Sequence, residues 1–142
     1  MRAGPVLDVG LAPVGKPGPG RHDVPMGLSV LVVDDQAAFR AVARALLERD
    51  GFDIVGEAAD GTTALLAERD LRPDVVLLDV RLPDRSGLDV ARAIGSLPNG
   101  AQVVLTSTAD YSHAIEECGA RGFVSKVLLS GSSLRAALAG QS

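Results

Sequence analysis

Val75-Val76-Leu77-Leu78-Asp79 is a run of four apolar residues closed by a carboxylate, with Pro73 just ahead of it and the polar segment Arg81, Pro83, Asp84 and Gly87 behind it. Two of the four are β-branched, and an apolar run of this length predicts a short strand buried on both faces, as in a parallel sheet. An ionised carboxylate is costly inside such a strand unless it is paired. Asp79 therefore belongs at the strand's C-terminal end, and in open parallel sheets that end faces the crevice where ligands bind.

Three further runs end in the same manner. Leu28 to Val33 closes on Asp34-Asp35, Val103-Val104-Leu105 on Thr106-Ser107-Thr108, and Gly122 to Ser125 on Lys126. Three carboxylates, a set of hydroxyls and one ammonium thus collect at one end of four strands.

Between these strands the periodicity is helical. Phe39, Val42, Leu46 and Leu47 mark an amphipathic helix over 36–49, ended by Asp50-Gly51 with Gly51 as a left-handed cap. Ile54 and Val55 give a weaker strand over 53–58, expected near a sheet edge. Asp60 caps a helix over 61–71. Ser86 caps another to about Ser96 with Leu88, Ala91, Ile94 and Leu97 inward. A short helix over 110–118 and a last one over 132–139 complete the pattern. Five strands alternate with five helices, which requires right-handed crossovers and a parallel sheet covered on both faces. If the strands ending in Asp34, Asp79, Thr106/Ser107 and Lys126 are neighbours, the weak second strand is pushed to an edge, giving the order 2-1-3-4-5.

Residues 1–27 hold five of the eight prolines and six of the sixteen glycines without apolar periodicity, so a disordered tail is expected, with Met26 as an alternative start. Residues 28–142 then form the folded unit, with no second domain after it. The formal charge is −4 and no Lys/Arg cluster stands out, which argues against direct nucleic-acid binding. No apolar run approaches the roughly 20 residues of a membrane span. The single cysteine, Cys118, excludes an internal disulfide and fits a reducing, cytoplasmic setting.

Three clustered carboxylates repel by about 4 kcal/mol per pair at 4 Å and an effective dielectric near 20. A hard divalent cation relieves this, and carboxylates with open water positions suit Mg²⁺. Metal, free carboxylate, hydroxyl and lysine together are complementary to a phosphoryl group. An aspartyl-phosphate hydrolase of the haloacid dehalogenase type needs a second acid two residues after the nucleophile, where this chain has Arg81. A flavin binder would need a Ser/Thr/Gly phosphate loop where Asp34-Asp35 stands.

The segments 31–35, 75–88 and 119–126 resemble the receiver domain of two-component response regulators, and the likeness extends over about 28–139. It implies a flavodoxin-like (βα)5 fold and a phosphoryl group passed from a sensor histidine kinase or phosphotransfer protein to Asp79. It also implies Mg²⁺ held by Asp34, Asp35, Asp79 and the backbone carbonyl of Arg81, and Lys126 in contact with the phosphoryl group. Phe123 matches the switch aromatic. Ser107 matches the switch hydroxyl, with Thr106 as the alternative. The expected function is that of a signalling phosphoacceptor rather than an enzyme with a free substrate, assisting its own phosphorylation and dephosphorylation. Output would run through the fourth helix, fifth strand and fifth helix to a downstream protein partner, with homodimerisation left open. A docking module without phosphorylation, or a phosphate sink, is the alternative. Val127 follows Lys126 where many receivers carry proline, and the local sequence most resembles receivers that precede helix-turn-helix outputs.

Overall fold

The computed structural model describes residues 24–140. Five strands, β1 (Ser29–Val33), β2 (Asp53–Ala58), β3 (Val75–Asp79), β4 (Gln102–Ser107) and β5 (Gly122–Ser125), form one sheet in the order β2-β1-β3-β4-β5. Every pairing is parallel. Helices α1 (Ala37–Arg49), α2 (Gly61–Leu71), α3 (Gly87–Gly95), α4 (Ile115–Cys118) and α5 (Gly131–Leu138) cover its two faces. The flavodoxin-like fold and the 2-1-3-4-5 order expected from the sequence are those observed.

Strand alternation divides the interior in two. Val30, Val32, Leu77, Val104 and Val124 pack with Leu47 of α1 and Leu134 of α5. Leu31, Val33, Val76, Leu78 and Leu105 pack with Ala64 of α2 and Val90, Ala91 and Ile94 of α3. Most of these side chains are fully buried, and each leucine or valine so placed contributes about 1.5–3 kcal/mol relative to exposure. Asp34 and Asp79 continue the first set by the same alternation, one step past Val32 and Leu77.

The caps explain where the chain turns. The Asp60 carboxylate accepts from the Thr63 N–H, Ser86 Oγ from the Leu88 N–H, and Ser130 and Ser133 form a reciprocal capping box at α5. Gly51 has φ +96°, as its predicted left-handed role requires.

Several local expectations need correction. Val42 is exposed, because the buried stripe of α1 runs through Ala43 and Leu47, four residues apart, and Val42 lies a further 100° around the helix. Leu97 is exposed because α3 ends at Gly95, so the chain has left the helical path before reaching it. The segment 110–118 is a 3₁₀ turn, Ser112–Ala114, followed by the single turn α4. Residues 24–27, expected within a disordered tail, belong to the described structure. Val24 packs against the first core cluster and the Gly27 N–H donates to the Gly51 carbonyl at 2.9 Å. The rest of that expected tail lies outside the described residues. No helix among the described residues is long and apolar enough to cross a membrane.

Candidate functional site

β3 delivers Asp79 to the end of the sheet, and β1 delivers Asp34 beside it: Val33, the last residue of β1, pairs with Leu78, so Asp34 and Asp79 each follow directly on that pair. Asp34 is fully buried and Asp79 is 4% exposed. Asp35 is exposed. Each of the three offers a carboxylate oxygen, and these oxygens lie within 4.8 Å of one another.

Lys126 enters from the 3₁₀ turn Lys126–Leu128 that follows β5. Its ammonium lies 2.7 Å from Asp34 Oδ2 and 3.3 Å from Asp79 Oδ2. The contact to Asp34 is an ion pair by distance only. Asp34 Oδ2 is buried with no hydrogen bond of good direction, whereas Lys126 does donate to Asp79 Oδ2. The remaining carboxylate oxygens are held by backbone: Asp34 Oδ1 accepts from the Gln36 N–H at 2.8 Å and Asp79 Oδ1 from the Arg81 N–H at 3.1 Å.

Burial pushes the Asp79 carboxyl above the usual aspartate range. The Arg81 N–H opposes that shift, the Asp34 charge adds to it, and Lys126 opposes it. Burial also works against the Lys126 ammonium, but the two carboxylates outweigh it and hold the lysine above its ordinary value. One ammonium faces three acids, so the cluster keeps an excess of negative charge. Three carboxylates around a single ammonium, with Asp35 exposed and an open front, suit a hard divalent cation. The residues present therefore fit a metal ion.

Asp79, Asp35, Lys126, Arg81, Ser107 and Thr108 line a depression of about 260 Å³ over the strand ends. Thr106 pairs in register with Asp79, and alternation puts it on the same face, yet its Oγ1 is buried without a partner. Ser107, one residue further along, reaches the depression, and its Oγ accepts from the Ala109 N–H at 3.2 Å. Phe123 lies outside this depression. It is half-buried and borders a second hollow with Thr108, Asp110, Ser112 and Leu128.

Three contributors were not singled out from the sequence. Phe39, read only as a core residue of α1, places its ring 4.8 Å beneath the Lys126 ammonium. Arg40 donates to the Asp34 carbonyl at 2.6 Å while its Nε pairs with Glu57 at 2.9 Å. Asp84, read as a turn residue, accepts from the Gly61 and Thr62 N–H groups at 2.8 and 2.9 Å, tying the loop after Asp79 to the start of α2. Phe39 and Arg40 sit one turn after Asp34-Asp35, and that spacing was the available signal.

Comparison with known proteins gives a consistent result. Residues 30–139 match the response regulator receiver domain family. The chain is 32% identical over 104 residues to the chemotaxis protein CheY of Thermotoga maritima, covering 71% of this chain and 87% of that one. It is 40% identical over 101 residues to the DNA-binding response regulator MtrA of Mycobacterium tuberculosis, covering 68% of this chain but only 43% of MtrA. Against longer regulators of that kind it spans half their length or less. Among solved structures, the signal receiver domain of NarL from Mycobacterium tuberculosis superposes with a TM-score of 0.71 at 33% identity, covering 80% of this chain and 94% of that one. The chain belongs to the response regulator receiver domain family.

Proposed function

We propose that this chain accepts a phosphoryl group on Asp79 from a sensor histidine kinase or phosphotransfer protein, in a Mg²⁺-dependent reaction, and thereby changes its affinity for a downstream protein. The observation that carries the reading is the convergence of Asp34, Asp35 and Asp79 with Lys126 at one end of the sheet. Asp34, Asp35, Asp79 and the Arg81 carbonyl would hold the metal, whose chemistry is to neutralise phosphoryl oxygens. An Asp79 carboxylate oxygen attacks phosphorus, the bond from phosphorus to the donor imidazole nitrogen breaks, and the imidazole leaves. The raised basicity of Asp79 favours it as nucleophile, provided it is ionised. Lys126 then exchanges its Asp79 contact for a phosphoryl oxygen and stabilises the charge there.

Ser107 is the switch hydroxyl in this reading, since it borders the depression where the phosphoryl group would sit. Its movement toward the phosphoryl group would open space for Phe123, whose ring already borders a hollow of about 440 Å³. The affected surface is that of α4, β5 and α5. Val127 and Leu128 stand there 81% and 70% exposed, an apolar pair suited to a protein partner.

Intact-protein mass after incubation with acetyl phosphate tests the reading. A gain of one phosphoryl group that requires Mg²⁺ and disappears in Asp79→Asn is expected. A wild-type level of phosphorylation in Asp79→Asn would overturn the site assignment, and no gain in any condition would leave the unphosphorylated docking module as the better account.

A further inference from the structure

A groove of about 510 Å³ lies between α2 and α3, lined by Leu65, Glu68, Arg69 and Arg72 from one side and Ala93 and Leu97 from the other. The ends of α2 and α3 that form it lead into the starts of β3 and β4, so it lies at the opposite end of the sheet from Asp79. Its volume falls in the range of small-molecule sites, and its walls are largely apolar with a few polar groups.

Glu68 makes this groove unusual. It is 5% exposed, and no side-chain hydrogen bond or ion pair reaches it from any described residue. Nor is its carboxylate sealed in: the fully enclosed polar atoms without a partner among the described residues are Asp34 Oδ2 and Thr106 Oγ1. The Glu68 oxygens therefore open on the groove. Glu68 is the one acidic side chain lining the groove and its carboxylate has no partner there, so the complementary ligand is a group carrying positive charge and N–H donors. Arg69 does not serve, because it pairs with Asp70 at 3.0 Å and is well exposed. Arg72 stands at the rim in the left-handed conformation, φ +47°, without an ion pair to Glu68 within 4.0 Å.

We propose that the α2–α3 groove binds a small organic cation, a guanidinium or primary ammonium on an apolar stem, with Glu68 receiving the charged head and Leu65, Ala93 and Leu97 covering the stem. The head would donate to the carboxylate, and the stem would remove apolar surface of the groove from water. A metal ion does not fit, since the groove offers a single carboxylate. A bare anion would face the same carboxylate at close range.

The test is chemical-shift titration of the folded chain with n-butylguanidinium, with n-pentanol and pentanoate as controls. Saturable shifts confined to Leu65, Ala93, Leu97 and their neighbours are expected, with neither control producing them. Glu68→Gln, nearly the same in shape, should weaken binding at least about tenfold, the loss of a charge-assisted contact of about 1.4 kcal/mol or more. Ala93→Leu, which fills the groove without touching the carboxylate, should weaken it as well. Arg72→Gln separates the remaining case: it should bind at least as tightly as the wild type, because it removes the nearest competing cation. Absence of saturable shifts in both the wild type and Arg72→Gln overturns the proposal, as does equal binding by Glu68→Gln. Acetyl phosphate labelling of Asp79 should be the same in Glu68→Gln and wild type, so failure here and failure of the phosphoacceptor reading are distinguishable.

Discussion

The Lys126 ammonium stands closer to Asp34 Oδ2, at 2.7 Å, than to the Asp79 oxygen it would help during transfer, at 3.3 Å. In the metal-free state Lys126 is thus the main counter-charge for a fully buried carboxylate. Lys126→Ala should cost about 3–5 kcal/mol in stability, as when one partner of a buried ion pair is removed. Mg²⁺ should restore much of that loss, because a cation among Asp34, Asp35 and Asp79 takes over the neutralising role. Thermal unfolding of wild type and variant with and without Mg²⁺ checks this, and a Mg²⁺ effect no larger in the variant would count against it.

Asp79 carries the opposite sign. Its folded pKa is raised, chiefly by burial, so its ionised form opposes folding above that pKa, and the penalty vanishes below the ordinary aspartate value. Asp79→Asn should therefore raise Tm at pH 7 and leave it nearly unchanged at pH 3. A lower Tm at pH 7 would contradict this.

Thr106 and Ser107 separate by their surroundings. Thr106 Oγ1 is buried without a partner, so Thr106→Val, which keeps the shape and removes the hydroxyl, should be neutral or stabilising by about 1 kcal/mol. Its output should survive phosphorylation. Ser107→Ala should still be phosphorylated but fail to change the environment of Phe123, read by NMR of its ring before and after acetyl phosphate. The reverse pattern would make Thr106 the switch hydroxyl.

Asp84 fastens the loop after Asp79 to the start of α2. The Gly61 N–H first, together with the Thr62 contacts, lowers its carboxyl from 3.8 to about 2. A depressed folded pKa means that the contribution is present above about 4 and is lost as pH falls through about 2. Carboxyl NMR should show Asp84 titrating near that lower value, and Asp84→Asn should speed amide exchange at Gly61 and Thr62. A titration near 4 would remove the tie.

Gly87 backs the site from below. A Cβ there would run into the Asp79 carbonyl oxygen and crowd Val80 Cα at 2.8 Å, and both are backbone, which cannot move aside cheaply. Gly87→Ala should cost about 2 kcal/mol or more and slow acetyl phosphate labelling by displacing the end of β3. Unchanged stability and labelling would show that the loop relaxes freely.

The sequence determined the alternation of five strands and five helices and the placing of Asp34, Asp35, Asp79 and Lys126 at strand ends, for a physical reason. Buried parallel strands cannot hold unpaired charge, so Asp34, Asp79 and Lys126 had to fall at strand ends, and apolar runs with capped helices between them leave few topologies. Tertiary structure alone decided what depends on distance between segments far apart in the chain. Alternation places Thr106 on Asp79's face, but only the packing over the strand ends shows Ser107 lining the depression and the Thr106 hydroxyl buried without a partner. The Phe39 ring under Lys126 and the Asp84 carboxylate on α2 join residues 87 and 23 positions apart, and only the packing shows which residue each one meets. Glu68 is the sharpest case, since on a helix where Arg69 and Asp70 follow it directly it reads as a solvated residue. Its burial belongs to the packed fold, where it shares the groove wall with Ala93 and Leu97.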